Sequence, residues 1–329
     1  MKTENAKIVL ALSVFFAAAV FVLALCSGTV YVSPAGIFSA LLGDGGDAEN
    51  VIILQLRLPR ICAAAITGAS LALSGCALQS VFRNPLAEPS ITGVSSGAAL
   101  GAVVAIMFFS GEASLQISAF CFALLASLAV FKIGTEAGRI NPTSTLLAGI
   151  AVNALCAAGI GLFMYATRES GLKSFVFWSL GSFERCDWVS VGICFAVSLP
   201  MWIVTLMQAK NLNAMMLGDS QAFNVGVNVQ RVRAVVMLAS VATTAASVAI
   251  CGIIGFVGLI IPHVARILCG SDNRRCMPVA VALGAALVVA ADAFAHAAAP
   301  FDPVPIGVIT AILGAPFFVY VLKRRRNDA

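Results

Sequence analysis

The chain has 329 residues, of which 60% are hydrophobic and 11% charged, with a mean hydropathy of +0.99. Soluble globular chains are about half apolar and about a quarter charged, so a soluble enzyme, a disordered chain and a nucleic-acid-binding chain are all excluded. The formal charge of +5 has to be read by placement, because Lys and Arg collect on the cytoplasmic side of membrane proteins.

Apolar runs, uncharged except for Asp292, lie between short charged segments at about residues 8–26, 61–82, 91–111, 113–131, 141–167, 188–209, 234–265, 277–299 and 303–322. The first run resembles a signal peptide, but it is long enough to span, and Cys26-Ser27-Gly28 is a poor cleavage site. It is expected to be an uncleaved first helix. The run 234–265 is 32 residues long. As one helix it would measure ~48 Å against a hydrocarbon core of ~30 Å. Arg231 and Arg233 precede it, and Arg266, Arg274 and Arg275 follow it, so both ends favour the same side. The run is expected to enter and return as two short or broken helices hinged near Gly252–Gly255, which neighbouring helices must cover.

The fold class that follows is all-α: a polytopic membrane protein of about ten transmembrane helices, read as one domain over 1–329. With both termini cytoplasmic, 15 basic residues fall inside and 5 outside, namely Arg57, Arg60, Arg168, Lys173 and Arg185. Gly68, Gly75, Gly97, Gly101, Gly149, Gly159 and Gly161 suit close helix–helix approach. The ten cysteines form no CxxC pair and no metal-spaced cluster, so packing is their expected role, and no metal site is expected.

Five segments carry more information. Arg57-Leu58-Pro59-Arg60 opens the second helix on the outer side; its arginines suit either lipid phosphates or the acidic residues of an external partner. Asn84-Pro85-Leu86-Ala87-Glu88-Pro89 is a rigid inner turn. The loop 210–233 is the longest cytoplasmic connection. Within it Gly218–Gly226 reads as a short helix with Asp219 as N-cap and Gly226 as stop. Phe223 and Val225 are apolar there without a core to cover, which points to a partner surface or to packing on the membrane. His263, near the end of the broken pair, has a structural and a proton-transfer reading. Asp292 is the one carboxylate well inside a run, and His296 follows it at i+4; structural pairing and proton coupling both fit.

Taken together these segments resemble the permease subunits of ATP-driven importers for iron-siderophores, haem and vitamin B12, the FecCD-type family, from about Arg57 to Lys323. The marks are Arg57–Arg60, Gly68-Ala69 through Gln79, Asn84–Pro89 with Gly93, Leu147-Ala148-Gly149, Gly255–Leu259 with Pro262-His263, and Pro305-Ile306-Gly307 with Gly314–Phe317. The resemblance implies an inner-membrane homodimer, two ATP-binding subunits beneath it and a substrate-binding protein outside. It further implies that Gly218, Asp219, Ala222, Phe223, Val225 and Gly226 couple to the ATPase, and that Arg57 and Arg60 meet the binding protein. Thr143 and Ser144 fall near the family's cytoplasmic gate, and Asn84, Pro85, Gly255, Gly258, Pro262, His263 and Asp292 hold hinges and shape. Two departures concern the outer face. His296 stands where the family usually has Arg, and Pro303, beside Asp302, stands where it usually has Glu; His296 is kept as a docking residue. The chain has no Gly-Lys dipeptide and therefore no phosphate-binding Gly-x4-Gly-Lys loop, so ATP and Mg are expected on the partner and no cofactor on this chain. A proton- or ion-coupled secondary transporter is the rival reading. A membrane-embedded enzyme would need a catalytic cluster at one depth, which two histidines at opposite sides do not supply.

Overall fold

A computed structural model describes all residues except 1–2, 29, 31, 44, 110, 137, 300–302 and 328–329. Asp302 lies outside the described residues. Ten principal helices follow one another: α1 (Thr3–Cys26), α2 (Leu58–Val81), α3 (Val94–Phe108), α4 (Glu112–Ile133), α5 (Pro142–Ala166), α6 (Trp188–Met207), α7 (Val229–Cys251), α8 (Val257–Cys269), α9 (Asn273–Ala298) and α10 (Ile306–Asn327). Among the described residues, seven helices are long and apolar enough to cross a membrane, and three apolar helices are shorter. The second run begins earlier than its composition indicates. A π-helical stretch, Val51–Arg57, feeds α2 without a break and carries the helix back to Ala48.

α2 is the hub. It packs on α6, α7, α8 and α9 and is buried along nearly its whole length. Small residues permit this. A Cβ on Gly68 would overlap the Gly284 carbonyl of α9, and one on Gly75 would overlap the Gly258 carbonyl of α8. Gly97 and Gly101 seat α3 on α4 in the same way, whereas a Cβ on Gly161 would meet open space among the described residues. Polar side chains add directional links: Trp202 Nε1 (α6) and the Thr243 hydroxyl (α7) both donate to Ser70 Oγ of α2, at 3.1 and 2.9 Å. In lipid, where apolar contact gives helices little reason to prefer one another over the tails, such packing and hydrogen bonding hold the bundle. The outer helices turn Phe15, Leu155, Tyr165 and Met207 outward, as a lipid-facing surface requires.

The long run does break, between Cys251 and Val257, and the two legs differ. α7 is a full helix; the return starts as an irregular segment and becomes helical only at α8. Thr67 faces Cys251 and Gly75 faces Gly258, so the irregular segment descends about two turns of α2, ~12 Å. Gly252, with φ +77, makes the corner, and a side chain there would strike the Trp178 carbonyl. Gly255 has open space, so of the glycines in the hinge Gly252 is the one that geometry demands. The exposed backbone is covered as lipid requires. Ser182 N donates to Cys251 O (2.8 Å), and Ile306 N and Gly307 N close the loop onto Gly181 O and Leu180 O.

A helix absent from the sequence reading, Glu169–Ser179, lies in the segment taken as hydrophilic. It buries Phe175 and Trp178 against α3 and α7 and leaves its other face exposed.

Candidate functional site

At one end of the bundle the chain leaves α6 through a short helix, Ala209–Met216, into the helix Asp219–Asn224. Asp219 is not the N-cap. Gly218 occupies that place without a side-chain bond, and Asp219 is the first helical residue. Its carboxylate is instead shared by two arginines. Arg83 donates at 2.6 Å, and Arg233 Nη2 donates to both oxygens at 3.2 and 3.0 Å. The helix stops as expected: Gly226, at φ +85, donates to Phe223 O (2.9 Å), and Val227 N reaches Ala222 O (3.0 Å). Ala222 is fully buried, so the helix has a defined inner side. Phe223 and Val225 are 72% and 71% exposed. Beside them runs an open groove of about 710 Å³ that includes Arg139, Ser220, Asn224 and Gln230.

Arg83 takes a left-handed backbone conformation, φ +49, which costs energy for a residue with a side chain. The turn behind it is fixed by Asn84, whose N–H donates to Gln79 O (3.1 Å) and whose Oδ1 accepts from Leu86 N (3.0 Å). Pro85 lies inside that turn, and the result holds the Arg83 guanidinium against Asp219.

Thr143 and Ser144 stand at the start of α5, on the same end of the molecule. Asn141 caps the helix by accepting from both backbone N–H groups (3.0 and 3.4 Å). Glu136 receives the Ser144 hydroxyl and the Asn141 amide. Glu136 belongs to a two-residue β-hairpin, Thr135–Glu136 with Arg139–Ile140, that leads into α5. Nearby, Asp272 N-caps α9 and binds Arg274 and Asn213; these bonds, that of Arg274 first, hold its carboxyl at about 2.

At the opposite end the outer arginines are turned inward. Arg57 is buried, and its guanidinium donates to Leu25 O (2.7 Å) and Val30 O, closing off the end of α1. It presents nothing to a partner. Arg60 bonds Asp292 at 3.0 Å, with Asp292 fully buried. His296 is nearly buried too: Nδ1 donates to Asp292 O (2.9 Å) and Nε2 lies 3.8 Å from the Glu184 carboxylate. Of the three residues assigned to docking, none projects freely. Charged groups that do project there include Glu184, Arg185 and Glu112, the last two paired at 3.6 Å. They border a small pocket with Trp178 and Pro303.

The remaining hinge residues are structural in place. Gly258 O accepts from Gln79 Nε2 (3.4 Å), Pro262 sits inside α8, and the His263 ring stands edge-on to Phe317 at 5.7 Å. Arg233, Gln230, Glu136 and Glu184 were not singled out by the sequence. Arg233 enters the sequence only as a basic residue at a run end, and Gln230, Glu136 and Glu184 are single polar residues, the partners of Gln230 and Glu184 lying far away in the chain.

The profile of the FecCD transport family matches residues 16–324. The chain is 36% identical over 288 residues to the hemin transport system permease protein HmuU of Yersinia pestis, covering 86% of both chains. It is 41% identical over 284 residues to the cobalamin import system permease protein BtuC of Halobacterium salinarum, covering 86% of this chain and 76% of that one. A solved metal-chelate-type ABC transporter in an inward-facing conformation superposes with a TM-score of 0.87 at 32% identity, over 97% of this chain and 99% of the other. A chain with this helix order, this broken seventh run and this breadth of similarity belongs to the FecCD transport family.

Proposed function

We propose that this chain is the membrane-spanning permease subunit of an ATP-binding-cassette importer, working as a pair of identical copies. Two ATP-binding subunits grip the end that carries Asp219–Asn224, and an external substrate-binding protein delivers cargo at the other end. That places the Asp219 end and both termini in the cytoplasm, and the chain in the inner membrane. The cargo is an iron-siderophore, with haem and cobalamin the other members of the same class of large chelates. ATP and Mg are held by the partner, and this chain, one transmembrane unit over 1–329, contributes the path and the gate at Thr143 and Ser144.

The observation that carries the reading is the Asp219–Asn224 helix. It is tied down through Ala222 and through the two arginines on Asp219, yet it offers Phe223, Val225 and Leu217 to solvent on a polar face. An anchored apolar knob beside a groove is what a docking partner needs. The rival reading, an ion-coupled carrier, needs a carboxylate available to a transported ion. Asp292 is engaged by Arg60, and the named relatives are subunits of ABC or import systems.

Replacing Phe223 by Asp tests the docking. The expected result is a folded, inserted permease from which the ATP-binding subunits no longer co-purify, with cargo uptake lost. Full co-purification with unchanged uptake would refute the assignment.

A further inference from the structure

The docking helix and the start of α5 are joined through one side chain. Arg233, one turn into α7, is 1% exposed. Its Nη2 grips both carboxylate oxygens of Asp219, while Nη1 donates to Ile140 O at 3.0 Å; Nε is buried with no partner among the described residues. Gln230, three residues earlier on the same helical face, accepts from Ile140 N at 2.9 Å. Both backbone polar groups of Ile140 are therefore held by α7, and the hairpin that contains Ile140 runs directly into the Asn141 cap, Thr143 and Ser144.

This arrangement exceeds what holding the docking helix requires. Arg83 already neutralises Asp219 from the solvent side, in an ion pair about 40% exposed on both partners. A second, buried arginine carries a desolvation cost, and breaking its bonds leaves an uncompensated charge. What it adds is a rigid, planar fork whose two ends lie on two different elements. We propose that Arg233, with Gln230, is the positioning link that transmits movement of the Asp219–Asn224 helix to the N-terminus of α5 and so to the gate. The proposal rests on reading Asp219–Asn224 as the ATPase-facing helix.

The test uses the assembled permease–ATPase complex and needs no cargo. A spin label introduced as a non-natural residue at Leu147, which is exposed one turn into α5, reports the separation of the two copies' gates with and without trapped ATP. The native complex should change its label separation on trapping ATP. Arg233→Gln should keep the ATP-binding subunits bound and ATP trapped, but the shifted population should fall about tenfold relative to the unshifted one, the scale of a lost charge-assisted hydrogen bond. Arg233→Lys, which lacks the fork, should lie between the two. If Arg233→Gln fails to insert, Gln230→Leu decides, because it loosens Ile140 and leaves the buried charge paired.

A full shift in these variants would overturn the proposal, and so would an absent shift in the native complex. Loss of the ATP-binding subunits from Arg233→Gln would also overturn it, reducing Arg233 to a support for the docking helix while leaving the docking reading intact. The docking reading fails on a different result, namely Phe223→Asp complexes that keep their ATP-binding subunits.

Discussion

The two ends of the bundle handle charge in opposite ways. At the Asp219 end one carboxylate is shared by a half-exposed and a buried arginine, and apolar side chains are pushed outward. At the Asp292 end the carboxylate is buried, its arginine and histidine are drawn in after it, and Arg57 disappears into the end of α1. The first pattern makes a surface that a partner can seize. The second makes a sealed internal clamp between α2 and α9. A basic residue near a membrane boundary thus reports which side it is on, without reporting whether it is available.

The largest effect that would sharpen this contrast concerns the clamp. Asp292→Ala should lower stability by about 3–5 kcal/mol by leaving Arg60 unpaired, seen as a large fall in the thermal unfolding midpoint in detergent. The double variant Arg60→Met with Asp292→Leu should recover most of that loss, since an apolar pair of similar size replaces a buried ion pair at little cost. A single variant as stable as the native protein would show that the pair is not buried as described.

Next in size, Arg57→Ala should cost about 1–3 kcal/mol by stranding the Leu25 and Val30 carbonyls. Proteolysis of the 27–33 connection should accelerate, while affinity for an external binding protein stays within a factor of about two, as expected for a residue outside the contact. Lost affinity at unchanged stability would return Arg57 to the docking surface.

The smallest effect belongs to the Asp219 end. Asp272 has a folded-state pKa lowered to about 2 from 3.8. A depressed carboxyl stabilises the fold above its unfolded value and loses that contribution as pH falls through the folded one. Stability measured from pH 4 to pH 2 should therefore decline less steeply in Asp272→Asn than in the native chain. Equal slopes would remove Asp272 from the set of groups that hold the Ala209–Met216 helix to α9.

Much of the architecture was legible because lipid imposes a simple rule on composition. Each apolar run became a helix, and the excess length of 234–265 with arginines at both ends located a break that the structure places between Cys251 and Val257. Glu169–Ser179 was not legible, since its two buried aromatics bound an apolar run, Phe175–Trp178, of only four residues. The fate of Arg57 was hidden for another reason: its acceptors are backbone carbonyls 27 and 32 residues away, which carry no side-chain signature. The stop at Gly226 was readable because it is local, whereas the partners of Asp219 were not, because Arg83 reaches it from the turn after α2 and Arg233 from α7.

The proposed motor is a separate ATP-hydrolysing partner gripping the Asp219 end. Sealed vesicles containing this permease, loaded with its binding protein and a labelled ferric siderophore outside, measure it directly. Uphill accumulation should occur when the ATP-binding subunits and ATP are supplied inside, and should be absent with the permease alone under an imposed proton gradient. Accumulation by the permease alone would exclude the separate motor.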